Sequence, residues 1–206
     1  MLISVTVIIF FLLLLNEIWW RRRKVHNEFS RKFIHLTVGC FVAAWPFILS
    51  WRQIQLLSLA FVIVILISKH FKIFQAIHSV QRPTWGEIFF AVSVGLITLL
   101  THNKWIYAAA ALQMGLADGL AAIVGSRYGW QRYKIFSSTK SIVGSLTFFI
   151  TSVIILLAYN HFSHNHLSLT FIALASLSAA LLENISIVGV DNLSVPLVIS
   201  LLLIHH

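Results

Sequence analysis

Residues 1–24 read MLISVTVIIFFLLLLNEIWWRRRK. The first part of this stretch is almost wholly apolar, and about 20 apolar residues in a helix cross the ~30 Å hydrocarbon core of a bilayer. The basic run Arg21 to Lys24 follows the apolar part, whereas a cleavable signal peptide carries its positive charge before the apolar part. We therefore expect this stretch to form a retained transmembrane helix.

Seven further apolar runs follow along the chain. They cover approximately 33–50, 54–68, 88–101, 105–124, 141–159, 169–187 and 193–204. Hydrophobic residues make up 59% of the 206 residues and charged residues only 10%, against about 25% charged residues in soluble domains. This composition excludes a soluble globular enzyme and a disordered chain. We predict an all-α, polytopic integral membrane protein with about seven or eight transmembrane helices, organised as a single transmembrane domain.

The loops between the runs fall into two groups that alternate along the chain. The first group comprises 21–32, 69–87, 125–140 and 188–194, and the second comprises 51–53, 102–104 and 160–168. The first group holds thirteen of the fifteen Lys and Arg residues, and the second holds Arg52 and Lys104. Cytoplasmic loops are enriched in Lys and Arg, so we expect the first group to face the cytoplasm. Topology and contact with anionic lipids then explain the net charge of +9 without a nucleic-acid partner.

Charge balance with the adjacent basic run explains Glu17 and Glu28, and the other four acidic residues lie in or beside later spans, near the face of the membrane that carries the basic loops. They are Glu87, Asp118, Glu183 and Asp191. A carboxylate inside a span costs at least about 2.5–3.5 kcal/mol and usually marks a functional site. A structural ion pair with Lys or Arg explains any single acid equally well. The convergence of four acids from separate segments favours a functional site.

The densest motif, GLADGLAAIVGSRYG, covers residues 115–129. Gly119 and Gly125 allow another backbone or a ligand to approach Asp118 closely. Two interpretations remain open for these small residues. They either line a ligand site beside Asp118, or they form a close contact between two helices.

The next segment adds positive charge to the same region. Arg127 and Lys140 supply cations, and Ser138 or Thr139 is expected to cap the following helix, whose N-terminus attracts phosphate. This combination suits a polyphosphate, with Asp118 and another acid holding Mg²⁺ between phosphate oxygens. The sequence contains no Walker A motif, G-x-G-x-x-G or H-E-x-x-H.

Five short motifs occur in order at the predicted cytoplasmic face. They are Arg31-Lys-x-x-His35, Arg82-x-x-x-Gly86-Glu87, Ala117-Asp-Gly-x-Ala121 with Gly125-x-Arg127-x-Gly129, Lys140-Ser-x-x-Gly144-Ser145, and Glu183 followed by Asp191-Asn192-Leu-x-Val-Pro196. Together they resemble the polyprenol kinase family of phytol, dolichol and CTP-dependent diacylglycerol kinases. The resemblance covers 31–196 and leaves the first span, 1–20, peripheral to it. It implies transfer of a phosphoryl group from a nucleoside triphosphate, often CTP, to a lipid alcohol such as an isoprenoid alcohol or diacylglycerol.

The resemblance also implies roles for individual residues. The expected catalytic residues are Asp118, Lys140, Glu183 and Asp191, of which Asp118 and Asp191 hold Mg²⁺ and Glu183 orients or deprotonates the alcohol. The expected nucleotide-binding residues, for CTP or ATP, are Arg82, Gly119, Gly125, Arg127, Lys140, Ser141, Gly144 and Asn192. The expected substrate-binding residues are Arg31, His35 and Glu87. The protein is expected in the cell (inner) membrane or in an organelle membrane. Its active site is expected to face the cytoplasm.

Three other functions fit the sequence less well. A phosphatidate cytidylyltransferase shares an Asp, a Gly-Arg loop and a Lys-x-x-x-Gly element, but it ends in Lys-Asp and His-Gly-Gly signatures that this chain lacks. A CDP-alcohol phosphotransferase needs several Asp residues within one helical hairpin, where this chain has Asp118 alone. A transporter places its acids near the membrane midplane, whereas these acids lie near one face.

Overall fold

The computed structural model describes residues 2–23, 28–71, 85–136 and 138–206. The helices are α1 (Leu2–Arg23), α2 (Glu28–Ala43), α3 (Trp51–Phe71), α4 (Gly86–Leu100), α5 (Lys104–Leu112), α6 (Asp118–Tyr128), α7 (Ile142–Phe162), α8 (Leu169–Ile185) and α9 (Asp191–Ile204). Every apolar run predicted from the sequence coincides with helical structure. The all-α class is confirmed.

Helices α5 and α6 are two parts of one continuous helix, Lys104–Tyr128, which corresponds to the predicted run 105–124. A π-helical turn, Gln113–Ala117, joins the two parts. Single π turns inside α-helices are frequent at functional sites. Asp118 is the first residue after this turn, so the irregular turn sets the face on which its carboxylate lies.

Three helices of the described chain are long and apolar enough to cross a membrane. They are Trp51–Ser68, Lys104–Tyr128 and Ile142–Phe162. The apolar parts of the other helices are shorter: in α1 the apolar part is Leu2–Asn16, and α4 has 15 residues and reaches about 22 Å at 1.5 Å per residue. These helices support a membrane protein, but the predicted count of seven or eight spans is not confirmed.

The continuous helix α5–α6 lies between two buried apolar clusters. Tyr107 and Met114 pack in the first cluster, with residues of α1, α2, α3 and α4. Ala117 and Ala121 pack in the second, with residues of α7, α8 and α9. Asp118 therefore lies on a central helix that contacts both halves of the bundle.

Helix α2 touches the π turn through two glycines. A Cβ atom added to Gly39 would lie 2.5 Å from the Gly115 Cα atom, so neither position has room for a side chain. Lys32 and His35 precede Gly39 by seven and four residues and therefore lie on the same face of α2. The contact between the glycines brings this face against Asp118, three residues beyond Gly115.

A short hairpin connects α6 to α7, and the sequence analysis did not predict it. Strands β1 (Arg132–Ile135) and β2 (Ser138–Ser141) are antiparallel, with Tyr133 opposite Lys140. The prediction that Ser138 or Thr139 caps α7 is wrong, because both residues belong to β2. The cap is Ser141, whose Oγ accepts a hydrogen bond of 3.1 Å from the Gly144 N–H.

Where their residues are described, the loops of each group lie near one end of the bundle. At one end the Trp85 N–H donates to the Val188 carbonyl oxygen at 3.1 Å, which joins the start of α4 to the loop between α8 and α9. At the other end the rings of Trp105 and Phe162 stack with centroids 5.6 Å apart, joining the start of α5 to the end of α7. Each of these two contacts therefore joins helices or loops that are distant in sequence.

Candidate active site

Three carboxylates from three helices meet at one end of the bundle. Asp118 opens α6, Glu183 lies in the last turn of α8, and Asp191 opens α9. One carboxylate oxygen from each residue lies within 4.8 Å of the other two. Asp118 and Glu183 are buried and Asp191 is half-buried. Oxygen donors at this spacing suit a hard divalent cation such as Mg²⁺.

Helix α2 supplies a cation to this cluster. The Lys32 Nζ atom donates to both carboxylate oxygens of Asp118, at 2.7 and 2.5 Å, and the Lys32 side chain is itself buried. The His35 Nε2 atom lies 3.6 Å from Asp118 Oδ2 and 3.0 Å from the Met114 carbonyl oxygen. His35 was predicted from the sequence as a site residue and Lys32 was not. Helical spacing puts Lys32 on the same face of α2 as His35 and Gly39, but it does not identify Asp118 as the partner.

The hairpin supplies a second cation. Lys140 forms an ion pair with Glu183 Oε1, and its Nζ atom also donates to the Glu183 carbonyl oxygen at 3.1 Å. Burial disfavours the charged form of Lys140, but the neighbouring carboxylates of Glu183, Asp191 and Asp118 raise its pKa above the usual value. Lys140 is therefore an ammonium group at neutral pH.

With His35 neutral and all three acids ionised, the site has one negative charge in excess. Three carboxylates, Asp118, Glu183 and Asp191, face two ammonium groups, Lys32 and Lys140. A buried charge is stable where it is paired, so the excess favours one more cation. The donor set and the charge balance both fit a divalent cation at the three acids.

A hydrogen-bonded group of neutral side chains lies beside the Lys140–Glu183 pair. The Tyr133 and Ser145 hydroxyl oxygens each lie 2.7 Å from Asn184 Oδ1 and 2.5 Å from each other. A hydroxyl has one proton, so one of them donates to Asn184 while the other donates to its neighbouring hydroxyl. Neither Tyr133 nor Asn184 was predicted as a site residue, because the two lie on different elements, β1 and α8, and belong to no local sequence motif.

Asn192 fixes the beginning of α9 next to Asp191. Its side-chain Nδ2 group donates to the Gly86 carbonyl oxygen at 3.0 Å, and its backbone carbonyl oxygen accepts a hydrogen bond from Ser93 Oγ at 2.5 Å. Both contacts tie α9 to α4. Glu87 follows Gly86 in the first turn of α4 and is not one of the three grouped acids.

The motif glycines lie at close contacts between helices. A Cβ atom on Gly119 would lie 2.9 Å from the Leu36 side chain of α2, and one on Gly125 would lie 3.0 Å from the Gly144 Cα atom of α7. Helix packing, the second of the two interpretations left open by the sequence, accounts for these positions. Their absent side chains allow α2 and α7 to approach α6 closely.

The remaining predicted residues lie apart from the cluster or lack a described side chain. Arg127 is exposed in the last turn of α6, with its guanidinium carbon 5.5 Å from the centre of the Tyr128 ring. Arg31 belongs to α2, but its side chain is outside the described part of the structure. Arg82 lies outside the described residues altogether.

Comparison with known proteins places the chain in a family. It is 34% identical to a phytol kinase from Synechocystis sp. over 178 residues, which cover 82% of this chain and 76% of that protein. It is 38% identical to a dolichol kinase from Saccharomyces cerevisiae over 88 residues, which cover 40% of this chain and 16% of that protein. No protein-family profile and no solved structure matches the chain. The similarity to the phytol kinase extends over most of both sequences, and the chain therefore belongs to the polyprenol kinase family.

Proposed function

We propose that this membrane lipid-alcohol kinase transfers the γ-phosphoryl group of CTP to an isoprenoid alcohol of the phytol or polyprenol type. The observation that carries the proposal is the meeting of Asp118, Glu183 and Asp191 beside Lys32 and Lys140 at one end of an apolar bundle. The two relatives are named for phytol and dolichol, which are both isoprenoid alcohols. Diacylglycerol and ATP are the competing substrate and donor.

The site suits phosphoryl transfer because this reaction depends mainly on positioning and on neutralising phosphate charge. Asp118 and Asp191 hold the divalent cation, with Glu183 near enough to share it. When bound, that cation, which we propose is Mg²⁺, neutralises phosphate oxygens. Lys32 balances the charge of Asp118 and, by donating to both oxygens, fixes the orientation of its carboxylate.

Lys140 binds the β- and γ-phosphates in this proposal. Its ammonium group is held at the cluster by Glu183, and α7 begins directly after Ser141, so the positive end of the helix dipole adds to the attraction. Arg127 meets the nucleotide from the exposed end of α6. Gly125 and Gly144 allow the end of α6 to pack closely against the start of α7.

Glu183 orients and deprotonates the lipid alcohol. The hydroxyl proton passes to a Glu183 carboxylate oxygen as the alcohol oxygen bonds to the γ-phosphorus atom, and the bond from that phosphorus to the bridging oxygen breaks. The nucleoside diphosphate leaves. A hydroxyl group of a membrane lipid lies at the interface, so the end of the bundle is the place where it can meet a soluble nucleotide.

The substrate-binding roles of Arg31, His35 and Glu87 and the nucleotide-binding roles of Arg82 and Asn192 belong to the proposal. His35 and Asn192 are supported by their positions, since each lies beside an acid of the cluster. A site that faces the cytoplasm is supported by the distribution of Lys and Arg among the loops.

Product analysis with CTP labelled at one phosphate at a time tests this function. Purified protein in lipid nanodiscs receives CTP labelled at either the α- or the γ-phosphate, together with phytol, dolichol or diacylglycerol; ATP is tested in parallel. We expect γ label in phytyl or dolichyl phosphate and release of CDP. Transfer of α label with release of pyrophosphate would instead identify a cytidylyltransferase and contradict the proposal.

A further inference from the structure

The hairpin is attached to α8 at two consecutive residues. Lys140 of β2 contacts Glu183, and Tyr133 of β1 contacts Asn184. Tyr133 and Lys140 are directly opposite each other in the hairpin register. Opposite residues of an antiparallel pair have their side chains on the same face, so both attachments come from the inner face of the hairpin.

The two attachments differ in chemistry. The contact of Lys140 with Glu183 joins two charges, and both groups have other uses in the proposed reaction. The contact of Tyr133 with Asn184 joins neutral groups, and Ser145 completes it from the first turn of α7. The neutral contact is therefore unaffected when Lys140 exchanges a carboxylate oxygen for a phosphate oxygen.

The described residues on the outer face of the hairpin make no comparable contact with another helix. Arg132 and Lys134 are exposed, and the side chain of Phe136 at the turn is 79% exposed. A lysine side chain has rotamer entropy worth about 2 kcal/mol, so a free lysine samples many positions. Its ammonium group stays at the reacting phosphate only if the backbone that carries it is fixed.

The base of the hairpin is bonded through Ser141 Oγ to the Gly125 carbonyl oxygen and through the Ile142 N–H to the Gln131 carbonyl oxygen. Along the described strands, the neutral group on the inner face adds the contact with α8 that persists while Lys140 changes partners.

We propose that Tyr133, Asn184 and Ser145 are positioning residues for the kinase reaction, which hold β2 so that Lys140 meets the transferred phosphoryl group. The inference rests on the proposed function and adds residues that no motif contains, Tyr133 and Asn184. Tyr133 acts through Lys140 and contacts neither nucleotide nor alcohol.

The test compares two Tyr→Phe substitutions that each remove a hydrogen bond to an asparagine. Tyr133→Phe removes the hydroxyl that reaches Asn184. Tyr159→Phe is the matched control, because the Tyr159 hydroxyl accepts a hydrogen bond from Asn165 at the opposite end of the bundle. Steady-state kinetics with CTP and phytol, and the thermal unfolding midpoint in detergent, are measured for both variants.

We expect Tyr133→Phe to lower kcat about three- to tenfold, the range that corresponds to one lost hydrogen bond, with an unchanged KM for phytol. Tyr159→Phe is expected to retain the wild-type kcat even if its unfolding midpoint is lower. Ser145→Thr, which keeps the hydroxyl, is expected to retain more activity than Ser145→Ala.

Two results would overturn the inference while wild-type protein remains active. One is unchanged kcat in Tyr133→Phe. The other is an equal loss of kcat in Tyr133→Phe and Tyr159→Phe that follows their unfolding midpoints, which would identify a merely structural role. An inactive wild type in the same assay would contradict the proposed function, and this inference with it.

Discussion

Lys32 and Asp118 lie 86 positions apart in sequence and form a buried ion pair that joins α2 to α6. Both side chains are almost inaccessible to solvent, and the ammonium group contacts both oxygens of the carboxylate. The pair neutralises an acid that would otherwise be a costly charge inside the bundle. It also fixes the acid that we propose as a ligand of the divalent cation.

Removing the cation of this pair should destabilise the protein more than removing both charges. Lys32→Met leaves the Asp118 carboxylate buried without its partner, and the expected cost is about 3–5 kcal/mol. The double variant Lys32→Met with Asp118→Asn should recover much of this loss. Thermal unfolding in detergent measures both effects, and a double variant less stable than Lys32→Met would contradict the account.

Lys140 should matter for turnover more than for lipid binding. Lys140→Ala removes the ammonium group that neutralises the phosphates, so we expect kcat to fall on the order of 100-fold. Phytol binding, measured by equilibrium binding of labelled phytol, should stay close to wild type. Lys140→Arg should restore part of the activity, because a planar guanidinium group keeps the charge but changes the geometry. Full activity of Lys140→Ala would exclude this role.

The contact between Gly39 and Gly115 should be required for the site. Gly115→Ala places a Cβ atom 2.6 Å from the Gly39 Cα atom, so α2 has to move away from the π turn and carry Lys32 with it. We expect lower activity and a lower unfolding midpoint. In the control Gly95→Ala, the nearest obstacle is the Ser58 side chain rather than backbone, and the effect should be smaller. Equal effects would show that the contact has no special importance.

The orientation of the hairpin is testable by cysteine labelling. Cys40 is the single native cysteine, so Arg132→Cys and His164→Cys are each introduced with Cys40→Ser. A membrane-impermeant maleimide should label the first variant from the cytoplasmic side and the second from the opposite side. Labelling of Arg132→Cys from outside would reverse the topology inferred from the basic loops.

The helices were predictable because their signal is local. Each apolar run is visible in the sequence, and the alternation of loops then determines which ends of the helices lie together. Asp118, Glu183 and Asp191 could be grouped on this basis, since each lies near a loop of the same group. The positive charge of the segment after Gly129 added Lys140, which the structure finds beside Glu183.

The missed features depend on contacts between distant segments. The choice of Lys32 as the partner of Asp118 depends on the crossing of α2 over the π turn, and no local pattern encodes that crossing. The hairpin was missed because its strands have only four residues each: β1, Arg-Tyr-Lys-Ile, alternates polar and apolar residues but is too short to stand out, and β2, Ser-Thr-Lys-Ser, has no apolar residue. Tyr133 and Asn184 form a contact only after the hairpin has folded against α8.

The most direct test of the three-acid site is the turnover of Asp118→Cys, with Cys40→Ser, in Mg²⁺ and in Cd²⁺. A thiolate binds Mg²⁺ poorly and Cd²⁺, a softer cation, well. If Asp118 is a ligand of the divalent cation, transfer of γ label to phytol should be nearly abolished in Mg²⁺ and partly restored by Cd²⁺, while Asp118→Asn stays inactive in both. Near wild-type transfer by either variant in Mg²⁺ would contradict the account.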